Sequence, residues 1–346
     1  MSTADLTDRQ RRILARVVES HVESGTPVGS KQLAGMAGLE VAPSTVRYEL
    51  ARLEELGYLD HPHTSAGRMP TEAGYRYYAD QLVQERPRQA PAVLSEALLA
   101  VEPRHEIDTA LTQLAEMLGR VTNLLGVVTA PAASTATVRH VEVLQLQPQL
   151  VMVVVIASTG NVGKRVFAFD DVVDAGLVDW AGAFMNDRVV GEPIGSRMLF
   201  DRLNEPSLSD AERAFIDALA PAIVEIYDDE AELLYVGGQA QVLAERRDTD
   251  LDAVDALMRT LEERYALLGL LRTALSQQEV YLRIGSEFGN RSLTGAALVA
   301  ANYGIARRNL GTVSVLGPAR MDYRLAIASV REAAQLLSRH VEEVYE

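Results

Sequence analysis

Apolar positions in the first sixty residues recur at helical spacing. Ile13, Leu14, Val17 and Val18 share one face of a helix whose start is marked by the capping-box pair Thr7 and Gln10. Gly25 and Pro27 end that region. Ser30 is placed to cap a second helix over 31–37, which Gly38 stops. Pro43 opens a third, where its missing N–H costs little, and Val46, Leu50 and Leu53 form the stripe it buries before Gly57 closes it. The segment YLDHPHTSAGRMPT follows, with turn residues Pro62, Ser65 and Gly67, and predicts a β-hairpin or wing. ERPRQAPAVL, with Pro87 and Pro91 among polar residues, reads as a linker.

Beyond the linker the periodicity changes. Residues 106–124 are amphipathic and helical, and three β-rich runs follow at 138–146, 150–158 and 163–169. Pro148 and the 158–160 stretch separate these runs, so an antiparallel meander is expected. Residues 174–190, 209–235 and much of 250–277 read as helices, the last with Leu257, Leu261, Tyr265, Leu268 and Leu271 on one face. Strands are expected at 280–284, 296–301 and 312–316, then a helix from about Asp322 to the end. No internal repeat or low-complexity tract is visible.

Composition narrows the function. The chain has 346 residues, enough for two or three domains, and 48% are apolar, enough to build cores. The longest apolar run, Leu150–Ala157, is far short of the roughly 20 residues a membrane helix needs. The polar start MSTADLTDRQRR is not that of a secretory signal. There is no cysteine, which removes disulfides, thiolate nucleophiles, Cys-type zinc sites and iron–sulfur clusters together. These features point to the cytoplasm. The net charge of −15 argues against non-specific coating of nucleic acid. That charge is uneven, because residues 1–84 carry only −2 of it.

Three short helices followed by a hairpin form a winged helix-turn-helix, in which the third helix enters the major groove. The side of that helix away from Val46, Leu50 and Leu53 carries Ser44, Thr45, Tyr48 and Arg52, with Arg47 beside it. Hydroxyls and guanidinium groups can address base edges or phosphates. The wing offers Arg68, with His61, His63, Thr64 and Ser65 close by, and Gly67 lets the backbone approach a ligand closely. The same unit could instead bind protein, Arg47 and Arg52 could be ordinary solvated residues, and Tyr48 could pack on the wing.

Catalytic readings are weaker. Asp60, His61 and Ser65 would sit on an exposed wing with no oxyanion pocket, so no enzyme is expected. His61 and His63 lack further metal ligands. TGNVGKR, at 159–165, has the wrong spacing for a phosphate loop, and Gly160 and Gly163 read as turn residues. No cofactor is expected.

STVRYELARLEELGYL (44–59) followed by HPHTSAGRMPTEAGYRYYADQL (61–82) resembles the heat-inducible transcription repressor HrcA family, and so do YVGG (235–238), IGSE (284–287) and VLGPARMDY (315–323). The resemblance runs over nearly the whole chain. It implies an α+β multidomain fold: a winged-helix DNA-binding domain at 1–84, a linker at 85–99, and a GAF-like α/β domain formed by 100–137 and 236–346. An inserted α+β dimerisation domain would occupy 138–235. The implied function is a homodimeric repressor that binds an inverted-repeat operator of double-stranded DNA upstream of chaperone operons. The GroEL chaperonin would keep it active, so that heat, by diverting the chaperonin to unfolded clients, relieves repression. Operator-reading positions carried onto this chain are Thr45, Arg47, Thr64, Ser65, Gly67 and Arg68. Two positions depart from the family pattern. Ala42 stands where a capping Ser, worth about 1 kcal/mol, is usual. Tyr48 stands where the family tends to have Asn, which reads adenine bidentately. A GAF-like core also allows an alternative, a winged-helix regulator gated by a small molecule.

Overall fold

The computed structural model describes residues 6–36, 42–61, 67–85, 107–130, 137–158, 162–194, 199, 202–224, 234–244, 271, 280–289, 293–305 and 308–345. The chain divides into two compact units, one made of Met1–Val128 with Leu234–Val344, the other of Thr129–Leu233.

The first unit begins with α1 (Asp8–Ser24). Thr7 Oγ1 accepts from the Gln10 amide at 3.3 Å while Gln10 Oε1 accepts from the Thr7 amide at 3.0 Å, which completes the expected capping box. Ile13, Leu14, Val17 and Val18 are buried as their spacing requires. α2 is shorter than expected, Ser30–Ala34, and Ser30 lies inside its first turn; Gly29 is the N-cap, with no side-chain bond. Gly38, the expected stop, lies outside the described residues. α3 (Pro43–Glu55) starts at its proline and buries Val46, Leu50 and Leu53, and Gly57 follows it with φ +81°. Its N-cap, Ala42, gives no side-chain bond, so the cap that Ser would supply is missing.

The hairpin is small. β1 (Leu59–Asp60) pairs antiparallel with β2 (Met69–Pro70), and residues 62–66 lie outside the described residues. α4 (Glu72–Gln84) follows, a helix absent from the sequence reading, with Thr71 Oγ1 accepting from the Gly74 amide at 3.1 Å as its cap. The expected linker at 85–99 lies, except for Glu85, outside the described residues.

The rest of this unit is a five-stranded sheet with helices. Its order is β7 (Leu234–Gly237), β3 (Leu125–Thr129), β10 (Arg308–Pro318), β9 (Ala296–Ile305), β8 (Tyr281–Ile284). The pairings of β3 with β10, β10 with β9 and β9 with β8 are antiparallel. β3 was not anticipated: its five residues are all buried, so it shows no alternation, and it directly follows α5 (Ile107–Thr122). α5 lies close on the sheet because glycines stand at the crossing. A Cβ on Gly237 would fall 2.4 Å from the Glu116 backbone, and one on Gly126 2.2 Å from the Ala115 carbonyl. The YVGG stretch is thus a packing motif. The short α9 (Gln239–Ala244) follows β7, and α10 (Tyr323–Tyr345) ends the chain close to where it was expected. Of the helix expected over 250–277, only Leu271, which is buried, is described.

The second unit is the expected meander of β4 (Val138–Gln147), β5 (Leu150–Ala157) and β6 (Val162–Ala168). Gly163 pairs with Val155 inside β6 and is not a turn residue; Gly160 lies outside the described residues. Val141, Val143, Val151, Val153 and Val155 pack against α6 (Ala175–Val189) and α7 (Asp210–Leu219). The helix expected over 209–235 is broken: α7 ends before Pro221, which opens the short α8 (Pro221–Val224), and Leu234 already belongs to a strand. Among the described residues no helix is long and apolar enough to cross a membrane.

Candidate nucleic-acid interface

Burial of Val46, Leu50 and Leu53 fixes which side of α3 faces solvent. Ser44, Arg47, Tyr48 and Arg52 are exposed on the other side and Thr45 is half-buried at its border. Tyr48 is 70% exposed. Arg52 pairs with Glu55 at 2.6 Å, one turn along the helix. Glu49, the one charged residue on the buried side, accepts from Gln10 Nε2 at 3.1 Å and lies 3.6 Å from Arg9 Nη1, which ties α3 to α1.

The hairpin is held to this helix by one carboxylate. Glu54 Oε2 lies 2.6 Å from Arg68 Nε, and Glu54 Oε1 contacts His61 Nδ1, so both arms of the wing are clasped by α3. Each of these side chains is only a quarter to a third exposed. Arg68 also bridges backbone to backbone with Val28, between α1 and α2, through two hydrogen bonds of 2.9 Å. Gly67 makes that bridge possible, because a Cβ there would fall 2.4 Å from the Val28 carbonyl oxygen. The close approach expected of Gly67 is therefore made to Val28 of this chain. His63, Thr64 and Ser65 lie outside the described residues.

The sequence reading missed Glu54, Val28 and everything contributed by α4. Glu54 lies seven residues beyond Arg47, on the helix that carries the exposed face, but only the fold brings His61 and Arg68 to it. Thr71 and Gly74, in the PTEAGYR stretch, are explained by backbone contacts. Thr71 Oγ1 donates to the Gly57 carbonyl at 2.7 Å, and Gly74 leaves room for the Tyr58 carbonyl. Among the described residues no group of three or more His, Asp or Glu side chains is arranged to hold a metal ion.

The described residues define a mixed α+β fold with an exposed, arginine-bearing helix face, a class that by itself names no function. Comparison with known proteins narrows this class. Residues 108–327 match the family model described as the HrcA protein C-terminal domain. The heat-inducible transcription repressor HrcA of Geobacter sulfurreducens is 32% identical over 343 residues, 98% of this chain and 99% of that protein. The protein of the same name from a Nocardioides species is 35% identical over 340 residues, 97% and 99% of the two chains. A solved structure described as a hypothetical protein shares the fold, with a TM-score of 0.63, 20% identity and 99% coverage of both chains. The chain belongs to the HrcA family of heat-inducible transcription repressors.

Proposed function

We propose that this chain is a dimeric repressor of heat-shock chaperone operons, reading an inverted-repeat operator through a winged helix-turn-helix. The observation that carries the reading is the face of α3. It presents Ser44, Arg47, Tyr48 and Arg52 to solvent while Glu54, on the same helix, holds the wing in place. A recognition helix needs side chains that reach base edges and phosphates, and a wing needs a fixed seat beside it. Ser44, Thr45, Arg47, Tyr48 and Arg52 serve from the helix; Arg68, with His63, Thr64 and Ser65, serves from the wing, which Gly67 seats against Val28. Tyr48 offers one phenolic hydroxyl, which suits a phosphate or a single base edge and cannot copy the bidentate contact of Asn with adenine. In domain terms, residues 1–84 bind DNA and 85–99 link; the GAF-like body, expected over 100–137 with 236–346, ends at Val128 and resumes at Leu234 because β7 joins its sheet, and the insert that dimerises is Thr129–Leu233 in place of the expected 138–235. The cytoplasm is its compartment.

The dimer reading draws on the outer face of the meander. Leu144, Leu146, Val162 and Val166 are each 39–57% exposed there, and Leu144, Met152 and Val166 align across the three strands. A contiguous apolar face of this kind marks a docking surface. The next row, Glu142–Val154–Lys164, places opposite charges on the two outer strands. A two-fold axis running along the strands sets Glu142 of one copy against Lys164 of the second, which makes a second copy of this chain the fitting occupant.

GroEL enters through the family resemblance, as the partner that raises the fraction of binding-competent repressor; apparent affinity scales with that fraction. Fluorescence anisotropy tests the whole reading. Operator duplex and scrambled duplex are titrated at two salt concentrations, with and without GroEL, and alongside the Arg47→Ala variant. Operator-selective binding, raised by GroEL and weakened by about 1–3 kcal/mol in the variant, is expected. Equal, salt-sensitive binding to both duplexes, unchanged by GroEL, overturns it.

A further inference from the structure

α4 connects the N-terminal helices to the C-terminal sheet, and its two ends of contact are of different kinds. On the side of the wing it is held by backbone: the Thr71 amide donates to the Tyr58 carbonyl at 3.1 Å, and Gly74 packs on that same carbonyl. On the side of the sheet it is held by charge. Glu72 Oε2 accepts from the Ser286 amide at 3.0 Å and from Ser286 Oγ at 2.7 Å. One turn on, Arg76 Nη1 donates to the Leu282 carbonyl at 2.9 Å and to Glu287 Oε2 at 2.8 Å. The same Glu287 oxygen accepts from the Ile284 amide at 3.1 Å, so one carboxylate both closes the 285–288 turn and grips α4. Farther along, Arg331 Nη2 donates to the Val83 carbonyl at 2.5 Å and Arg324 pairs with Glu85 at 3.3 Å.

Gly285 sits at the centre of this joint. Its φ of +55° favours glycine, and a Cβ there would fall 1.9 Å from Glu72 Oε1. Three of the sequence stretches that resemble the HrcA family, TEAGYR, IGSE and GPARMDY, therefore meet here, with Tyr75 and Tyr323 ring to ring at 5.9 Å. None of these three stretches lies on α3. The Arg76–Glu287 pair is about one-third exposed on each side, so the joint is electrostatic and partly wet, unlike the core beneath it.

We infer that Glu72 and Arg76 are positioning residues for operator binding: they lock α4 to the 284–287 turn and thereby fix the pose of the recognition helix relative to the C-terminal sheet. The inference rests on the inverted-repeat reading above. Two copies engage two half-sites together only when each recognition helix is held in a set pose. Loosening the joint lowers the effective concentration of the second contact and leaves the first intact. The signature is thus a loss on the full operator without a loss on a single half-site, which a merely destabilised domain would not give.

The test uses the full chain and three duplexes: the full operator, one isolated half-site, and an operator whose spacer is lengthened by half a helical turn. The variants are Glu72→Gln with Arg76→Met, and, independently, Gly285→Ala, which displaces the Glu72 carboxylate without altering α4. In both, full-operator affinity is expected to fall about tenfold, as the competent fraction falls. Half-site affinity stays within about twofold and the penalty for the lengthened spacer shrinks. Arg76→Lys restores part of the loss. Equal losses on full operator and half-site overturn the inference, as does no loss on either when the wild-type chain prefers the full operator. A wild-type chain without that preference overturns the repressor reading, and the inference falls with it.

Discussion

Gly67→Ala separates the seat of the wing from its contact with DNA. The added Cβ would stand 2.4, 2.5 and 2.8 Å from the oxygen, carbon and nitrogen of Val28. These are backbone atoms, so no side chain can swing away, and the strand after the wing must move. Doing so breaks the pair of 2.9 Å hydrogen bonds between Val28 and Arg68. At about 0.5–1.5 kcal/mol net each, the loss is about 1–3 kcal/mol, confined to this edge. Amide hydrogen exchange reads it directly: protection of the Val28 and Arg68 amides falls roughly tenfold to a hundredfold, since 1.4 kcal/mol is a factor of ten. Gly29→Ala is the control, because a Cβ there meets nothing within 4 Å. If Gly67→Ala leaves both amides as protected as Gly29→Ala does, the close approach is not what Gly67 provides and the argument fails.

Glu54→Gln keeps the shape of the clasp and removes its charge; it should destabilise the wing by about 1 kcal/mol, seen as faster exchange at His61 and Arg68 with the rest of α3 unchanged. Arg68→Ala would weaken both the seat and any DNA contact, so Arg47→Ala, exposed and outside the clasp, is the cleaner probe of operator binding. Gly237→Ala drives a methyl into the Glu116 backbone and should cost about 1–3 kcal/mol in chemical denaturation, as overpacking does. Two hydrogen bonds from Ser209, its hydroxyl and its amide, hold the Glu212 carboxyl below the ordinary carboxylate range. The cap therefore stabilises α7 above the ordinary carboxylate pKa and is lost as pH falls through the lowered folded value. NMR titration of Ser209→Ala should find Glu212 shifted up toward its ordinary range, and an unmoved titration would refute the cause given.

Local signals were legible wherever the chain punctuates itself. The box at Thr7 and Gln10, Pro43 at the start of α3, and the apolar run of β5 that begins just after Pro148 each mark an element and its boundary in a few residues. The exposed face of α3 follows from the same rule, since naming Val46, Leu50 and Leu53 as buried leaves Arg47, Tyr48 and Arg52 outside. The failures have physical reasons as well. β3 is buried on both faces and shows no alternation. α4 carries Gly74 and three tyrosines, residues of weak helix propensity, and the partners that pack on two of the rings, Tyr58 and Tyr323, come from other segments of the chain. The run 209–235 reads as one helix until Pro221 and the pairing of Leu234–Gly237 into the sheet divide it.

The sequence by itself determined which residues face water on α3, that an antiparallel meander turns at Pro148, and, by its long motifs, the family. It did so because helix faces, turns and motifs are short-range properties that neighbouring residues settle between themselves. Only the tertiary structure decided that Glu54 clasps the wing, that Gly67 yields to Val28, and that Glu72 and Arg76 meet Ser286 and Glu287 across more than two hundred residues of chain. Charge pairing at such separation carries no period along the sequence; it exists only once packing of the apolar faces has brought the two segments together.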